Sequence, residues 1–221
     1  RRSAHEPVAY ITGSAEFYGL DLQVSPAVLI PRGDSETLIE TAREHFGTRA
    51  APQRILDLGT GSGILAITLL AEWREAFAVA TDLSDPALKV AARNATLNGV
   101  DNRLTFLASD WFAQVQGRFD LIVSNPPYIA ADEMPSLAPE VLGFDPQMAL
   151  TPGGDGLDPY RKIAAGALAH MDPGGRILVE IGFRQGRAVS DIFEAAGLED
   201  VRIHPDMDGR DRVIGARAPL S

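Results

Sequence analysis

The stretch Ile55-Leu56-Asp57-Leu58-Gly59-Thr60-Gly61-Ser62-Gly63-Ile64-Leu65-Ala66 (ILDLGTGSGILA) decides how this chain is read. A short apolar run enters three glycines at alternate positions, and an apolar helical pattern follows at once. That is a strand turning directly into a helix through a loop whose glycines permit positive φ and let a ligand approach the backbone. The spacing is GxGxG. The dinucleotide fingerprint would want a small residue where Ile64 stands, and no Lys follows to make a phosphate-gripping loop. A tight turn that binds nothing is the competing reading of these residues alone.

Working outward, the chain alternates. Apolar strands are expected at 54–58, 77–82, 103–107, 119–124 and 176–181, and helical patterns at about 62–72, 86–98, 158–170 and 185–196. Ser84-Asp85-Pro86 is a helix start and Asn98-Gly99 a stop. Extended stretches at 201–205 and 212–216 close the chain. Near-continuous apolar strands separated by amphipathic helices belong to the α/β class, here a doubly wound, mainly parallel, seven-stranded sheet. In front of it, residues 9–24 read as a β-hairpin with its turn at Gly13-Ser14, and Ser35 reads as the cap of a helix ending near Phe46. The expected division is 1–46 for the hairpin and lead-in helix and 47–221 for the sheet domain.

Ligands of such sheets sit beyond the carboxyl ends of the strands. Asp82 ends the second strand, about 20 residues past the glycines, where an acid would accept from ribose hydroxyls. Capping the next helix is its plainer role, although Ser84 is better placed for that. Asp57 would put negative charge near a ligand's central atoms, which suits a cationic ligand better than a pyrophosphate. After the third strand, Asp110 would accept from an exocyclic amine and Trp111 would cover a purine face, unless that Trp is simply core. Taken together, these strand ends resemble the class I methyltransferase layout, Rossmann-like, for S-adenosylmethionine.

The fourth strand runs into Asn125-Pro126-Pro127-Tyr128. Prolines lack N–H groups and fix φ, so this backbone presents carbonyl acceptors without competing donors. Asn125 adds an acceptor on a short stem and Tyr128 a flat face. The slot fits a planar nitrogen carrying two hydrogens, in a carboxamide or the exocyclic amine of a base. A Pro-rich turn that merely ends a strand is the bland alternative.

Composition narrows the partners. Net charge is −10, from 30 acidic and 20 basic side chains, with the basic residues scattered. A duplex-binding enzyme carries a cationic stripe, so stable nucleic-acid binding is not expected. There is no cysteine, which excludes thiol nucleophiles and disulfides. No apolar run is long enough to cross a bilayer, and a cytoplasmic location is expected. His5, His45, His170 and His204 are scattered, so no metal site is expected. The opening Arg1-Arg2-Ser3, without Met, reads as a processed chain or a piece of a longer one.

Along nearly its whole length the chain resembles the bacterial release-factor glutamine methyltransferases. The resemblance rests on EPVAYITGSAEFYGL (6–20), VLIPR (28–32), DLGTGSG (57–63), TDLS (81–84), DWF (110–112), SNPPYI (124–129), DGLDPYRKI (155–163), PGGRILVEIG (173–182) and GRDRV (209–213). It implies S-adenosylmethionine on Asp57, Leu58, Gly59, Thr60, Gly61, Asp82, Asp110, Trp111 and Asn125. It implies substrate glutamine, and the chemistry, at Asn125, Pro126, Pro127 and Tyr128. The family methylates the side-chain amide of the Gly-Gly-Gln glutamine in class 1 peptide chain release factors, which modulates translation termination, and needs no metal. Two departures stand out. Gly33 replaces a family proline, which is expected to loosen the loop over the methionine end of the cofactor. The family's helical N-terminal domain does not precede Arg1, so weaker docking of the protein substrate is expected. The rivals are a ribosomal-protein glutamine methyltransferase, an amino-methyltransferase acting on adenine or cytosine, and a cofactor-binding regulatory module that methylates nothing.

Overall fold

The computed structural model describes residues 1–47 and 50–221. In chain order they form α1 (Val8–Thr12), β1 (Ser14–Phe17), β2 (Leu20–Gln23), α2 (Glu36–Phe46), β3 (Arg54–Leu58), α3 (Ile64–Glu72), β4 (Phe77–Asp82), α4 (Asp85–Leu97), β5 (Leu104–Ala108) and β6 (Phe119–Ser124). Then come α5 (Pro139–Phe144), α6 (Gln147–Leu150), α7 (Asp158–His170), β7 (Met171–Glu180), α8 (Gly186–Ala195), β8 (Glu199–Pro205) and β9 (Asp211–Arg217). Seven strands make one sheet in the order β5-β4-β3-β6-β7-β9-β8. Its first five strands are parallel, and β9 pairs antiparallel with both β7 and β8.

Strand alternation explains why helices cover both faces. Ile55, Leu121, Val123, Leu178 and Val213 point into a core shared with α2 and α3. Their neighbours Leu56, Leu58, Ile122, Ile177, Val179 and Ile214 point into a second core with α7 and α8. A strand buried on both faces has no polar side to show, hence the continuous apolar runs. The chain winds outward from β3 through β4 to β5, then returns to lay β6 on the other side of β3. The crevice of such a fold lies where the order reverses, between the ends of β3 and β6. Those ends carry the glycine loop and Asn125-Pro126-Pro127-Tyr128.

The front of the chain departs from the sequence reading. A two-stranded hairpin is present, but Val8–Thr12 is a helix that stops at Gly13 in the left-handed conformation. The hairpin turns at Tyr18-Gly19, where both residues have positive φ (51° and 74°), as a two-residue loop of the I′ kind requires. Pro7 and Gly13 are helix start and stop signals, and they outweigh the β-branched side chains between them. Ser35 does not cap α2 with its side chain. β7 begins at Met171, earlier than its apolar pattern. Its pairing with β6 jumps from Phe119↔Met171 to Leu121↔Arg176, so residues 172–175 bulge out of register. No helix among the described residues is long and apolar enough to cross a membrane.

Candidate active site

A cleft of about 350 Å³ opens at the reversal point, within the usual size range of small-ligand pockets. One wall is the glycine loop with residues 82–84. Residues 27–32, Met148, Ala149 and Thr151 also line it, while Asp110 and Trp111 join the lining from the β5 end and Asn125 and Pro127 from the β6 end.

The glycine-loop wall is built of backbone. Gly63 caps α3 at φ 87°, and a Cβ there would sit 2.8 Å from Ile67 Cδ1 and 3.2 Å from Ala91 Cβ. The third glycine therefore serves the close packing of α3 on α4. Asp82 holds the loop open: Oδ2 accepts from the Gly61 N–H at 2.9 Å, and Oδ1 from the Ser84 N–H at 2.8 Å. The helix cap itself is Ser84, whose Oγ accepts from Ala87 N–H at 3.2 Å. Burial raises the Asp82 carboxyl above the ordinary value, against the lowering effect of those backbone donors. Asp57 lies beneath the loop, fully buried. Its Oδ2 accepts from Thr60 Oγ1 (2.6 Å) and Ala66 N–H (3.3 Å), while Oδ1 has no partner. Desolvation pushes this carboxyl up to about 7. Trp111 holds φ at 51°, a strained conformation for a bulky residue. Its carbonyl accepts from Ser109 Oγ at 2.9 Å, which fixes the turn that presents the indole.

The other end is built of side chains from distant parts of the chain. Asn125 Nδ2 donates to Ser35 Oγ at 3.1 Å, and Ser35 Oγ donates to Glu180 Oε2 at 2.5 Å. The Tyr128 hydroxyl donates to Glu180 Oε1 at 3.4 Å. Gln185 Nε2 donates to the Tyr128 carbonyl (2.9 Å), and Gln185 Oε1 accepts from Gly182 N–H (2.9 Å). Gly156, at φ 75°, passes so close that a Cβ would run into that same carbonyl. Glu180 is fully buried, and desolvation lifts its carboxyl to about 7 despite the opposing Ser35 hydrogen bond and Arg212 charge. Burial, then the Glu180 charge, raises the Tyr128 phenol. Asn125 Oδ1 takes no hydrogen bond from the described residues.

The segments that lead into the cleft from the front of the chain are tied down as well. Asp145, buried at 1% side-chain exposure, accepts from the Tyr10 hydroxyl (2.7 Å) and pairs with Arg32 (2.9 Å). Asn94 of α4 bonds Gln23 N–H and carbonyl and also the Ser62 carbonyl, which staples the hairpin to the glycine loop.

The family description "Methyltransferase small domain" matches residues 34–156. A release factor glutamine methyltransferase of Cereibacter sphaeroides is 56% identical over 221 residues, all of this chain and 77% of that protein. Another, from Agrobacterium fabrum, is 46% identical over 220 residues, covering 98% of this chain and 76% of that protein. The chain belongs to the release factor glutamine methyltransferase family. Its fold is also that of a Pyrococcus furiosus methyltransferase crystal structure, at TM-score 0.67 and 18% identity, covering 92% of this chain and 91% of that one.

Of the residues singled out from the sequence, Gly59, Thr60, Gly61, Asp82, Asp110, Trp111, Asn125 and Pro127 meet at the cleft. Asp57, Leu58, Pro126 and Tyr128 stand behind it. Sequence reasoning missed Glu180, Gln185 and Asp145 altogether and read Ser35 only as a helix cap. For Glu180 a signal exists: an acid closing the apolar run Ile177-Leu178-Val179 must find partners once buried.

Proposed function

We propose that the cleft holds S-adenosylmethionine along the glycine loop and presents its methyl group to a glutamine side chain at Asn125. The acceptor is the glutamine of the Gly-Gly-Gln motif in class 1 peptide chain release factors. One observation carries this reading: at the same cleft where Asp82 pins the glycine loop, the Asn125 amide is held by its nitrogen and keeps its oxygen unengaged.

The residues present fit the cofactor. Apart from the adjoining residues, no atom of the described residues lies within 4 Å of a Cβ position at Gly59 or Gly61, so the loop has the open backbone that a ligand needs for close approach. Asp82 Oδ1 and Oδ2 each keep a lone pair for ribose hydroxyls. Asp110 and Trp111 would take the base. When bound, S-adenosylmethionine supplies an electron-poor methyl on a sulfonium sulfur, which keeps the electron pair of the broken bond.

A carboxamide nitrogen is a poor nucleophile because its lone pair is delocalised, as the ~18–20 kcal/mol barrier to peptide C–N rotation shows. Asn125 Oδ1 would accept one of its hydrogens, concentrating density on nitrogen and orienting the lone pair for attack. The new N–C bond forms at that lone pair, and the displaced proton passes to water. Tyr128, clamped at both its hydroxyl and its carbonyl, would floor the slot. Gln185 takes one lone pair of the Tyr128 carbonyl, so the slot's acceptors with no such partner are those of Asn125 and the prolines. This is catalysis by positioning and electrostatics, with no strong base in the design.

Net charge −10 fits a protein substrate and no stable hold on nucleic acid. The test is incubation with methyl-labelled S-adenosylmethionine and a release factor, followed by mass mapping. Label on the Gly-Gly-Gln glutamine is expected. Label on another residue, on a ribosomal protein or on nucleic acid overturns the reading.

A further inference from the structure

A side-chain amide has two ends of similar shape and opposite hydrogen-bonding sense. Whether Asn125 presents an acceptor or a donor to the cleft decides whether it can hold an –NH2 group, and nothing in Asn125 itself makes that choice. Proton counting along its partners does. Ser35 Oγ carries one proton, and its bond to Glu180 Oε2 uses that proton while Glu180 is ionised. Ser35 Oγ can then only accept from Asn125, so Nδ2 faces Ser35 and Oδ1 faces the cleft.

We propose that Ser35 and Glu180 are positioning residues that fix which end of the Asn125 amide meets the substrate. The inference rests on the glutamine-methylating reading for its kinetic consequence, but not for the orientation itself. Glu180 is the only source of polarity in the relay. A protonated Glu180 donates to Ser35, which frees the Ser35 proton for Asn125 Oδ1 and rotates the amide nitrogen towards the cleft. Two –NH2 groups then face each other, and the slot no longer selects its substrate.

The surroundings place this reversal near neutrality. Around Glu180 stand Ser35 and Asp34 from the turn before α2, Tyr128 from the loop after β6, Arg212 from β9 and Tyr160 from α7. Arg212, which also pairs with Asp34 (3.1 Å) and Asp206 (3.2 Å), and the Ser35 hydrogen bond both favour the ionised carboxylate, while Asp34 opposes it. Burial dominates and raises the carboxyl to about 7. Turnover should therefore fall on the acid side as pH drops through that region.

Two readouts test the relay. In protein labelled with 15N-asparagine, the Asn125 side-chain NH2 pair, assigned by its loss in Asn125→Ala, is followed by NMR from about pH 5.5 to about 8.5. A single transition is expected, absent in Glu180→Gln. In methyl transfer to a release factor, Ser35→Ala should lower kcat by about 10–100-fold, the usual effect of removing a partner that orients a reacting side chain, with cofactor Kd changed by less than about threefold. Ser35→Thr keeps the hydroxyl and should restore kcat, and Glu180→Gln should flatten the acid limb of the pH profile. The relay is overturned if Asn125 does not respond to pH or to Glu180→Gln. It is also overturned if wild type methylates the glutamine and Ser35→Ala does so at the same kcat. A wild type that methylates no glutamine would sink the functional reading instead, and the NMR titration would still judge the relay. Should Ser35→Ala fail to fold, the wild-type titration decides alone.

Discussion

The two ends of the cleft are built on opposite plans. At the β3 end the working groups are backbone, pinned by one carboxylate, Asp82, that lies 21 residues from the glycine it holds. At the β6 end they are side chains, oriented by partners 90 residues away at Ser35 and 52 away at Glu180. A backbone cradle suits a ligand that must be bound the same way every time. A side-chain slot suits chemistry, where the sense of one amide decides whether anything happens.

The two ends should therefore fail differently. Asn125→Ala should cut turnover by roughly 10²–10³, as loss of one preorganised polar group does; rapid-quench kinetics alongside calorimetric cofactor binding would show it, and a kcat near wild type would remove Asn125 from the chemistry. Asp82→Ala should do the reverse. It should weaken cofactor binding by ~1–3 kcal/mol through lost charge-assisted hydrogen bonds, with little change in the rate at saturation; an unchanged Kd would remove the ribose assignment.

Both ends also bury an acid, and this sharpens the comparison through stability. Asp57 and Glu180 have folded-state values near 7, above their ordinary 3.8 and 4.5. The fold therefore holds these protons more tightly than the unfolded chain does. Their stabilising contribution is full below about pH 4 and is lost as pH climbs through 7. Tm should fall between about pH 5 and about pH 8 by at least the 2–4 °C that 1 kcal/mol gives in a chain of this size, and Asp57→Asn should shrink the fall. His204, lowered by burial, works in the opposite sense below about pH 6.5, so the deciding comparison is with the variant: a pH dependence of Tm that Asp57→Asn leaves unchanged contradicts the burial of Asp57.

The smallest effect concerns the strap that runs along the cleft through Arg32 to Gly33. Arg32 is extended (φ −112°, ψ 141°), Gly33 opens a 3₁₀ turn, and its N–H makes no hydrogen bond to the described residues. A Cβ at Gly33 would meet nothing within 4 Å. Proline therefore fits, and Gly33→Pro should stabilise the fold by ~0.4–1 kcal/mol by restricting the unfolded chain. Denaturant titration reads this directly, and destabilisation would mean the strap needs its glycine.

The same contrast governs what could be read from the sequence. The β3 end was legible because its signals are local: an apolar strand, glycines, an apolar helix, and an acid one strand further on. Asn125-Pro126-Pro127-Tyr128 was legible as a motif, but the groups that orient it were not. Ser35 precedes a helix and looks like its cap, yet its own backbone is already helical, and its hydroxyl accepts from Asn125 and donates to Glu180 instead. Gln185 and Asp145 carry no local mark of a partner 57 or 135 residues away. The hairpin turn was misplaced for a related reason. Gly13 is the conspicuous breaker, but it ends a helix, while the turn itself uses Tyr18, a residue seldom found at positive φ.

The most direct test of the divided site is the Asp82→Ala/Asn125→Ala double variant, assayed for cofactor Kd and for single-turnover rate at saturating cofactor. Asp82 and Asn125 share no hydrogen-bond partner, so the two losses should sum in log units to within about 0.5 kcal/mol, with Kd following Asp82 and the rate following Asn125. Strong coupling, with either substitution alone impairing binding and rate together, would contradict it.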